Sequence, residues 1–400
     1  MRRNQELIKL NLKLSVRNIL SACLCLCLIG CSHNTTTETP VVTTTTTTTP
    51  VVEEPVVEAI PDTVLSFVAV GDNLIHGAVY YDAMNSDGTY DFKPMYQYMK
   101  PYIENADVSF INQETIIGGK AIGLSHYPLF NSPEELIEGI SDTGFDLVNL
   151  ASNHTLDKGE QAVLNALSFF DEYPNLVTAG ANRSFEEQAT LRTITRDDLT
   201  IGFMAYTAFT NGLYPPSGKE YLVNTIKRDS LIEEVSKARE NCDILIVSMH
   251  FGTENSHEVN TYQKDYASLL NSLGVDVVIG THPHVIQPMD LLESDSGHQT
   301  LVMYSLGNFL SAQIEVDQIL EGMGMWTMRY NHETKELSFE DIAFMPLVDH
   351  YDHGYRNFRV YPLKDYTEEL ASLHTLEFTL EELIHKTKEI MGDEFEIILE

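Results

Sequence analysis

Residues 278–285 read Val-Ile-Gly-Thr-His-Pro-His-Val, and the reading of this stretch decides the reading of the chain. The stretch Val275–Ile279, apolar but for Asp276, has the composition of a buried strand, and Gly280 ends it just before His282 and His284. One His-x-His after a strand has a plain reading as a surface loop. A zinc, manganese or iron centre instead collects imidazoles and carboxylates from several separate loops, so two histidines at one strand end predict partners elsewhere.

Outward from this stretch, short runs rich in Val, Ile and Phe recur at 65–70, 108–111, 147–150, 201–206, 244–249 and 301–304. Amphipathic segments of helical length lie between them at 133–141, 160–172, 230–240 and 261–273. The alternation predicts an α/β fold. Polar residues cluster just past the strand ends: Asp72 and His76, Glu114, Asn153 with His154, His250, His282 with His284, and Asn308. In open α/β sheets ligands gather beyond the carboxyl ends of strands, so six loops are expected to converge on one place. Taken singly, Asp72 could cap a turn, Asn153 could take a left-handed loop conformation and His250 could be a satisfied core histidine. Repeated after six strands, the pattern favours a shared site.

The chain has 400 residues, 43% of them hydrophobic, and a formal net charge of −34. That is enough apolar content for one large or two ordinary packed domains, and an acidic balance that disfavours nucleic acid as a partner. Arg2, Arg3, Lys9, Lys13 and Arg17 accompany an apolar run at 19–29 that is too short for a comfortable membrane span, the pattern of a secretion signal over residues 1–30. Leu28-Ile29-Gly30-Cys31 resembles the bacterial lipobox, so Cys31 is the expected lipidation site. The chain is then exported and lipid-anchored to the outer face of the bacterial cell membrane. The alternative is an ordinary signal followed by a chance cysteine. Residues 31–61, rich in Thr and Pro, have too little apolar surface to offset ordering entropy and read as a disordered tether. With the signal removed and Cys31 acylated, Cys242 stands alone, which leaves no intramolecular disulfide.

The ordered set Gly71-Asp72, Asn112-Gln113-Glu114, Asn153-His154, His250-Phe251-Gly252, Gly280-Thr281-His282-Pro283-His284-Val285 and Ser305-Leu306-Gly307-Asn308-Phe309 resembles the poly-gamma-glutamate capsule biosynthesis (CapA-type) family. His126–Phe130 and Gly144–Asn149 extend the likeness, which covers roughly residues 64–310. That family is similar to calcineurin-like metallophosphoesterases. The resemblance implies a four-layer α-β-β-α sandwich over residues 62–350, followed by an acidic helical C-terminal extension over 351–400. It implies one metal site from Glu114, Asn153, His250 and His282, and a second from Asp72, Glu114 and His284. It gives His154 the catalytic role; from the residues themselves, Asp157 is a candidate to orient that imidazole or else an exposed turn aspartate, and Ser305 and Asn308 are candidates to brace the His-x-His loop. The cofactor implied is divalent Mn, Zn or Fe, with one ion expected and a second left open. The chain departs from the phosphoesterase Asp-x-His at Leu74, which cannot bind metal, and His76 is the candidate substitute.

Metal-activated water can attack phosphorus or an amide carbonyl, so the electrophile stays open. The first functional reading is a metal-dependent hydrolase or transferase acting on poly-gamma-glutamate or a related envelope polymer. The alternative is a non-catalytic accessory subunit of a membrane complex for polymer synthesis and export. An acidic domain needs a local cation to hold an anionic polymer, for which the metal is the first candidate; Lys120 and Lys158 near the motif loops either add to it or are simply solvated. Asn211 and Gly212 are candidates for a substrate-facing loop.

Overall fold

A computed structural model of the chain describes residues 60–400. The expected signal, the Cys31 lipidation site and nearly all of the tether lie outside the described residues. In chain order the strands are β1 (Thr63–Asn73), β2 (Val108–Gln113), β3 (Leu147–Asn149), β4 (Val177–Ala179), β5 (Arg192–Arg196), β6 (Leu199–Thr207), β7 (Ile244–His250), β8 (Val277–Thr281), β9 (Met289–Glu293), β10 (Gln299–Met303), β11 (Asn308–Leu310), β12 (Leu320–Tyr330), β13 (Leu337–Asp352), β14 (Arg356–Pro362) and β15 (Glu396–Ile397).

They form two mixed sheets. The first runs β14-β13-β12-β1-β2-β3-β4, with β11 also paired to β1 and β15 to β13. Its half from β1 to β4 is parallel, and β12, β13 and β14 are antiparallel additions. The second runs β5-β6-β7-β8-β10-β9, parallel from β6 through β10 with an antiparallel strand at each edge. Every strand inferred from sequence lies within or overlaps β1, β2, β3, β6, β7, β8 or β10.

The sheets pack face to face. Phe110 of β2 meets Phe203 of β6 edge-on with ring centroids 5.9 Å apart, inside a core that also takes in Phe67, Ile201 and Ile279. A second core lies on the other face of β7 and β8, where Leu231 and Val235 of helix Arg228–Arg239 and Leu270 of helix Thr261–Ser272 cover Leu245, Val247 and Val278. With both faces covered, β7 is buried along its whole length. Its sequence accordingly reads as an unbroken apolar run instead of an alternation.

The C-terminal stretch is more than a helical extension. It holds helices Glu368–Leu373 and Leu380–Met391, but the boundary expected at 350/351 falls inside β13, and β14 and β15 both pair with that strand. Leu383 and Met391 are buried in the main core. None of the described helices is long and apolar enough to cross a membrane.

Candidate metal centre

Parallel strands from both sheets end at one place. Asp72 is the penultimate residue of β1, Glu114 follows β2, Asn153 follows β3, His250 ends β7, His282 follows β8 and Asn308 opens β11. Two glycines let the backbones come close enough. A Cβ on Gly71 would sit 2.0 Å from the Gly307 carbonyl oxygen, and one on Gly280 would sit 2.0 Å from that of Tyr304. No other residue type fits either position. His282 and His284 both have left-handed backbones, at φ 100° and 61°. Such conformations cost a non-glycine residue about 1–3 kcal/mol and persist where the surroundings dictate them. Here they bring both imidazoles to the same carboxylate, Glu114.

The potential ligand atoms of Glu114, His282 and His284 all lie within 4.8 Å of one another, as do those of Asp72, Glu114 and His250. Glu114 is shared between the two groups. Its Oε1 is 3.7 Å from His284 Nε2 and 3.9 Å from His250 Nε2. Asn153 Oδ1 lies 2.9 Å from the same His250 nitrogen, which adds its carboxamide to the cluster. The grouping differs from that implied by family resemblance, since His282 goes with His284 and His250 goes with Asp72.

The electrostatics fit a cation. Both Glu114 oxygens and His282 Nδ1 are buried without a hydrogen-bond partner. An orphaned buried carboxylate is costly unless neutralised. Burial pushes the Glu114 carboxyl well up, with the Asp72 charge adding to it against an opposing pull from His284. Burial holds His250 and His282 neutral, the latter down to about 3, reinforced by neighbouring imidazoles. For His284 burial acts downward, but Glu114 and the bonded Asp72 outweigh it and lift the ring to about 9. A mixed carboxylate, imidazole and carboxamide set with two like-charged acids suits a divalent transition ion.

The ligands are braced from behind. His250 Nδ1 is 2.9 Å from Thr281 Oγ1, and His284 Nδ1 lies 3.1 Å from both Asp72 Oδ2 and Asn308 Oδ1. Asn112 donates to Asp72 Oδ1 at 2.7 Å, and Ser305 Oγ donates to the Val285 carbonyl at 2.8 Å. Such contacts fix ring orientation and tautomer. Asn112 and Thr281 stand inside the quoted motifs, yet only strand register shows what they touch.

His154 lies beside the cluster, with Nδ1 2.7 Å from Asp157 Oδ2 and its ring edge-on to Phe130 at 4.7 Å. Asn211 reaches Asn153, Oδ1 to Nδ2, at 3.5 Å, and Phe209 of the same loop sits edge-on to His282 at 5.0 Å. His76 joins neither ligand group. Its Nδ1 accepts the Ala312 N–H at 3.2 Å, and burial lowers the ring to about 4. Leu74 is buried as an apolar residue. Lys120 is tied to Glu134 and Glu135 and so offers no free charge.

Residues 66–313 match the model of the bacterial capsule synthesis protein PGA_cap family. The chain belongs to this family. Within it, the chain is 26% identical over 264 residues to the capsule biosynthesis protein CapA of Bacillus anthracis, covering 62% of this chain and 60% of that one. It is also 26% identical over 270 residues to the PGA biosynthesis protein CapA of Bacillus subtilis strain 168, covering 65% and 67%. The match thus spans about two thirds or less of either relative. Among solved structures, a phosphatase from Mycoplasma pneumoniae aligns at TM-score 0.43 and 17% identity, covering 72% of this chain and 94% of that one. A 5'-nucleotidase from Staphylococcus aureus aligns at TM-score 0.43 and 17% identity, covering 81% and 58%. This member of the capsule synthesis family therefore carries a buried cluster able to hold a divalent metal.

Proposed function

We propose that the chain is a cell-surface, lipid-anchored, metal-dependent hydrolase or transferase acting on poly-gamma-glutamate or a related envelope polymer. One observation carries the reading: the two Glu114 oxygens are buried and unpartnered while His250, His282, His284 and Asn153 converge on them. The Cys31 anchor, the tether over 31–61 and the four-layer α-β-β-α arrangement of the metallophosphoesterase type belong to the same reading. Glu114, His282 and His284 would hold one Mn, Zn or Fe ion, and Asp72, His250 and Asn153 would complete a second position against Glu114. When bound, such an ion supplies Lewis acidity and lowers the pKa of adjacent water.

The protein groups divide the remaining work. Asp157 accepts from His154 Nδ1, which leaves Nε2 to carry a proton to the leaving group. Asn211 and Phe209 line the approach, where a substrate chain would lie.

A specific observation favours the accessory-subunit reading as well: Leu74 puts a buried apolar side chain where the phosphoesterase pattern has a ligand. Metal analysis of the purified domain, residues 62–400, with turnover assays on a chromogenic phosphoester and on poly-gamma-glutamate, separates the two. Metal with turnover supports the enzyme. Metal without turnover, together with co-purifying membrane synthesis or export proteins, supports the accessory role. Absence of bound metal at saturating Mn2+ and Zn2+ would sink both.

A further inference from the structure

Register sets Asp72 of β1 beside Asn112 of β2, and Asn112 beside Asn149 of β3. All three side chains are fully buried. Two residues back on β2 and β3, Phe110 and Leu147 fill the same face with apolar side chains. The face turns polar only where it meets the ligand cluster.

The hydrogen bonds along this row run one way. The Ala151 N–H donates to Asn149 Oδ1 at 2.7 Å and the Ala151 carbonyl accepts from Asn149 Nδ2 at 3.2 Å, so two backbone groups of one residue fix which way this amide points. Asn149 Nδ2 also donates to Asn112 Oδ1 at 2.8 Å, which leaves Asn112 Nδ2 to donate to Asp72 Oδ1 at 2.7 Å. The same Asn112 nitrogen stands 3.5 Å from His250 Nδ1, so the row ends beside two members of the ligand group Asp72, Glu114 and His250. Its starting point is tightly packed: a Cβ on Gly180 would sit 2.6 Å from Ala151 Cβ and 2.7 Å from the Ala151 nitrogen. Apolar side chains would fill such a row without any demand for hydrogen bonds, and amides that merely satisfied one another would need no fixed polarity.

We propose that Asn149 is a positioning residue for the metal: with Asn112 it forms a one-way amide relay that ties the Asp72 carboxylate to the backbone at Ala151, two residues before Asn153. The proposal rests on the metal reading above and deepens it. Asn149 makes no hydrogen bond to Asp72, Glu114 or His250, so its effect on the ion held by that group passes through Asn112.

The test is calorimetric titration of Mn2+ into the metal-stripped full chain in detergent, with thermal stability of the metal-free protein measured alongside. Asn149→Leu, similar in volume but without the amide, is expected to weaken Mn2+ binding at least about tenfold. Asn149→Ser, too short to reach Asn112, should show the same loss and keeps the test open if the leucine variant does not fold. Asn271→Leu is the structural control: it removes a buried amide that donates to Thr300 Oγ1 at 2.8 Å, in contact with no ligand residue, and should lower Tm with Mn2+ affinity unchanged. Asn112→Leu breaks the middle link, so adding Asn149→Leu to it should cost no further affinity. If the Asn149 variants lose stability but keep Mn2+ affinity, or if the losses from Asn149→Leu and Asn112→Leu add in the double variant, the proposal is overturned while the metal site stands. If the unmodified chain binds no Mn2+, or Glu114→Gln leaves its affinity unchanged, the metal reading and the proposal fall together.

Discussion

His154 Nδ1 sits 2.7 Å from Asp157 Oδ2, and that same oxygen accepts the Phe130 N–H at 2.7 Å. The aspartate is thereby fixed by the loop packed over the imidazole, and the imidazole proton is fixed on Nδ1. Asp157→Asn keeps the shape but offers Nδ1 an amide that can donate, so the contact that orients the ring through its Nδ1–H is lost. If His154 moves a proton, turnover on any hydrolysed substrate is expected to fall about 10- to 100-fold with metal content unchanged. Loss of metal in parallel with activity would show instead that Asp157 supports the cluster, and equal metal with equal turnover would remove His154 from the chemistry.

Glu114 is the one carboxylate common to both ligand groups, whereas His282 and His284 belong to one and Asp72 and His250 to the other. Saturating metal should stabilise the fold, by about 2.7 kcal/mol at a hundredfold excess over Kd. Glu114→Gln is therefore expected to abolish the metal-dependent rise in Tm altogether. His250→Ala and His282→Ala should each leave part of it. Equal loss in both histidine variants would indicate a single ion spanning the two groups. A full rise retained in Glu114→Gln would remove the shared carboxylate from the site.

Much of this centre was legible before the structure because the relevant signals are local. Apolar runs of strand length mark β1, β2, β7 and β8, and the polar residue types just past them mark the ligands. What stayed hidden depends on pairing between distant segments. Thr281 braces His250 and Asn112 holds Asp72 only because β7 lies beside β8 and β1 beside β2. The C-terminal strands were missed for a different reason: β13 carries Pro346, Asp349 and His350, and β14 is half exposed, so neither shows a clean alternation. Regularity there comes from the neighbouring strand.

The glycine in the opening stretch makes a sharp prediction about packing. A methyl group at Gly280 would stand 2.0 Å from Tyr304 O and 2.9 Å from Met303 O, both backbone atoms of the adjoining chain segment. Neither can swing aside as a side chain would, so β8 and the stretch after β10 must part. Gly280→Ala is expected to cost more than about 3 kcal/mol and to lower metal affinity, since His282 and His284 follow directly. By contrast, Gly297→Ala, in a turn with nothing within 4 Å but with φ of 84°, should cost about 1 kcal/mol and leave metal binding alone. Similar unfolding midpoints for the two variants in denaturant would contradict the close approach of the backbones.

Behind the metal cluster, Glu321 of β12 and Asp349 of β13 are fully buried, and both Glu321 oxygens and Asp349 Oδ1 have no partner among the described residues. Register pairs Glu321 with Leu347, which places Asp349 two residues along on the same face. Asp349 Oδ2 accepts the Ser311 N–H at 2.7 Å, while no basic side chain stands among the groups that act on Glu321. Burial, then the charges of Asp349 and Asp72, hold the Glu321 carboxyl well above its ordinary range, and burial raises Asp349 likewise. In the unfolded chain both acids ionise near pH 4. Folding therefore takes up protons at higher pH, so stability is fully present below the unfolded pKa and declines as pH rises toward the folded values. Gln at 321 keeps the shape of a protonated acid and can donate to Asp349 without needing a proton. With chelator present throughout, Glu321→Gln is expected to stabilise the fold by about 1–3 kcal/mol at pH 8 and by little at pH 4, flattening the fall in Tm between them. A variant that is less stable than the parent at pH 8, or whose Tm follows the parent's pH dependence, would show that Glu321 is not held as the neutral acid.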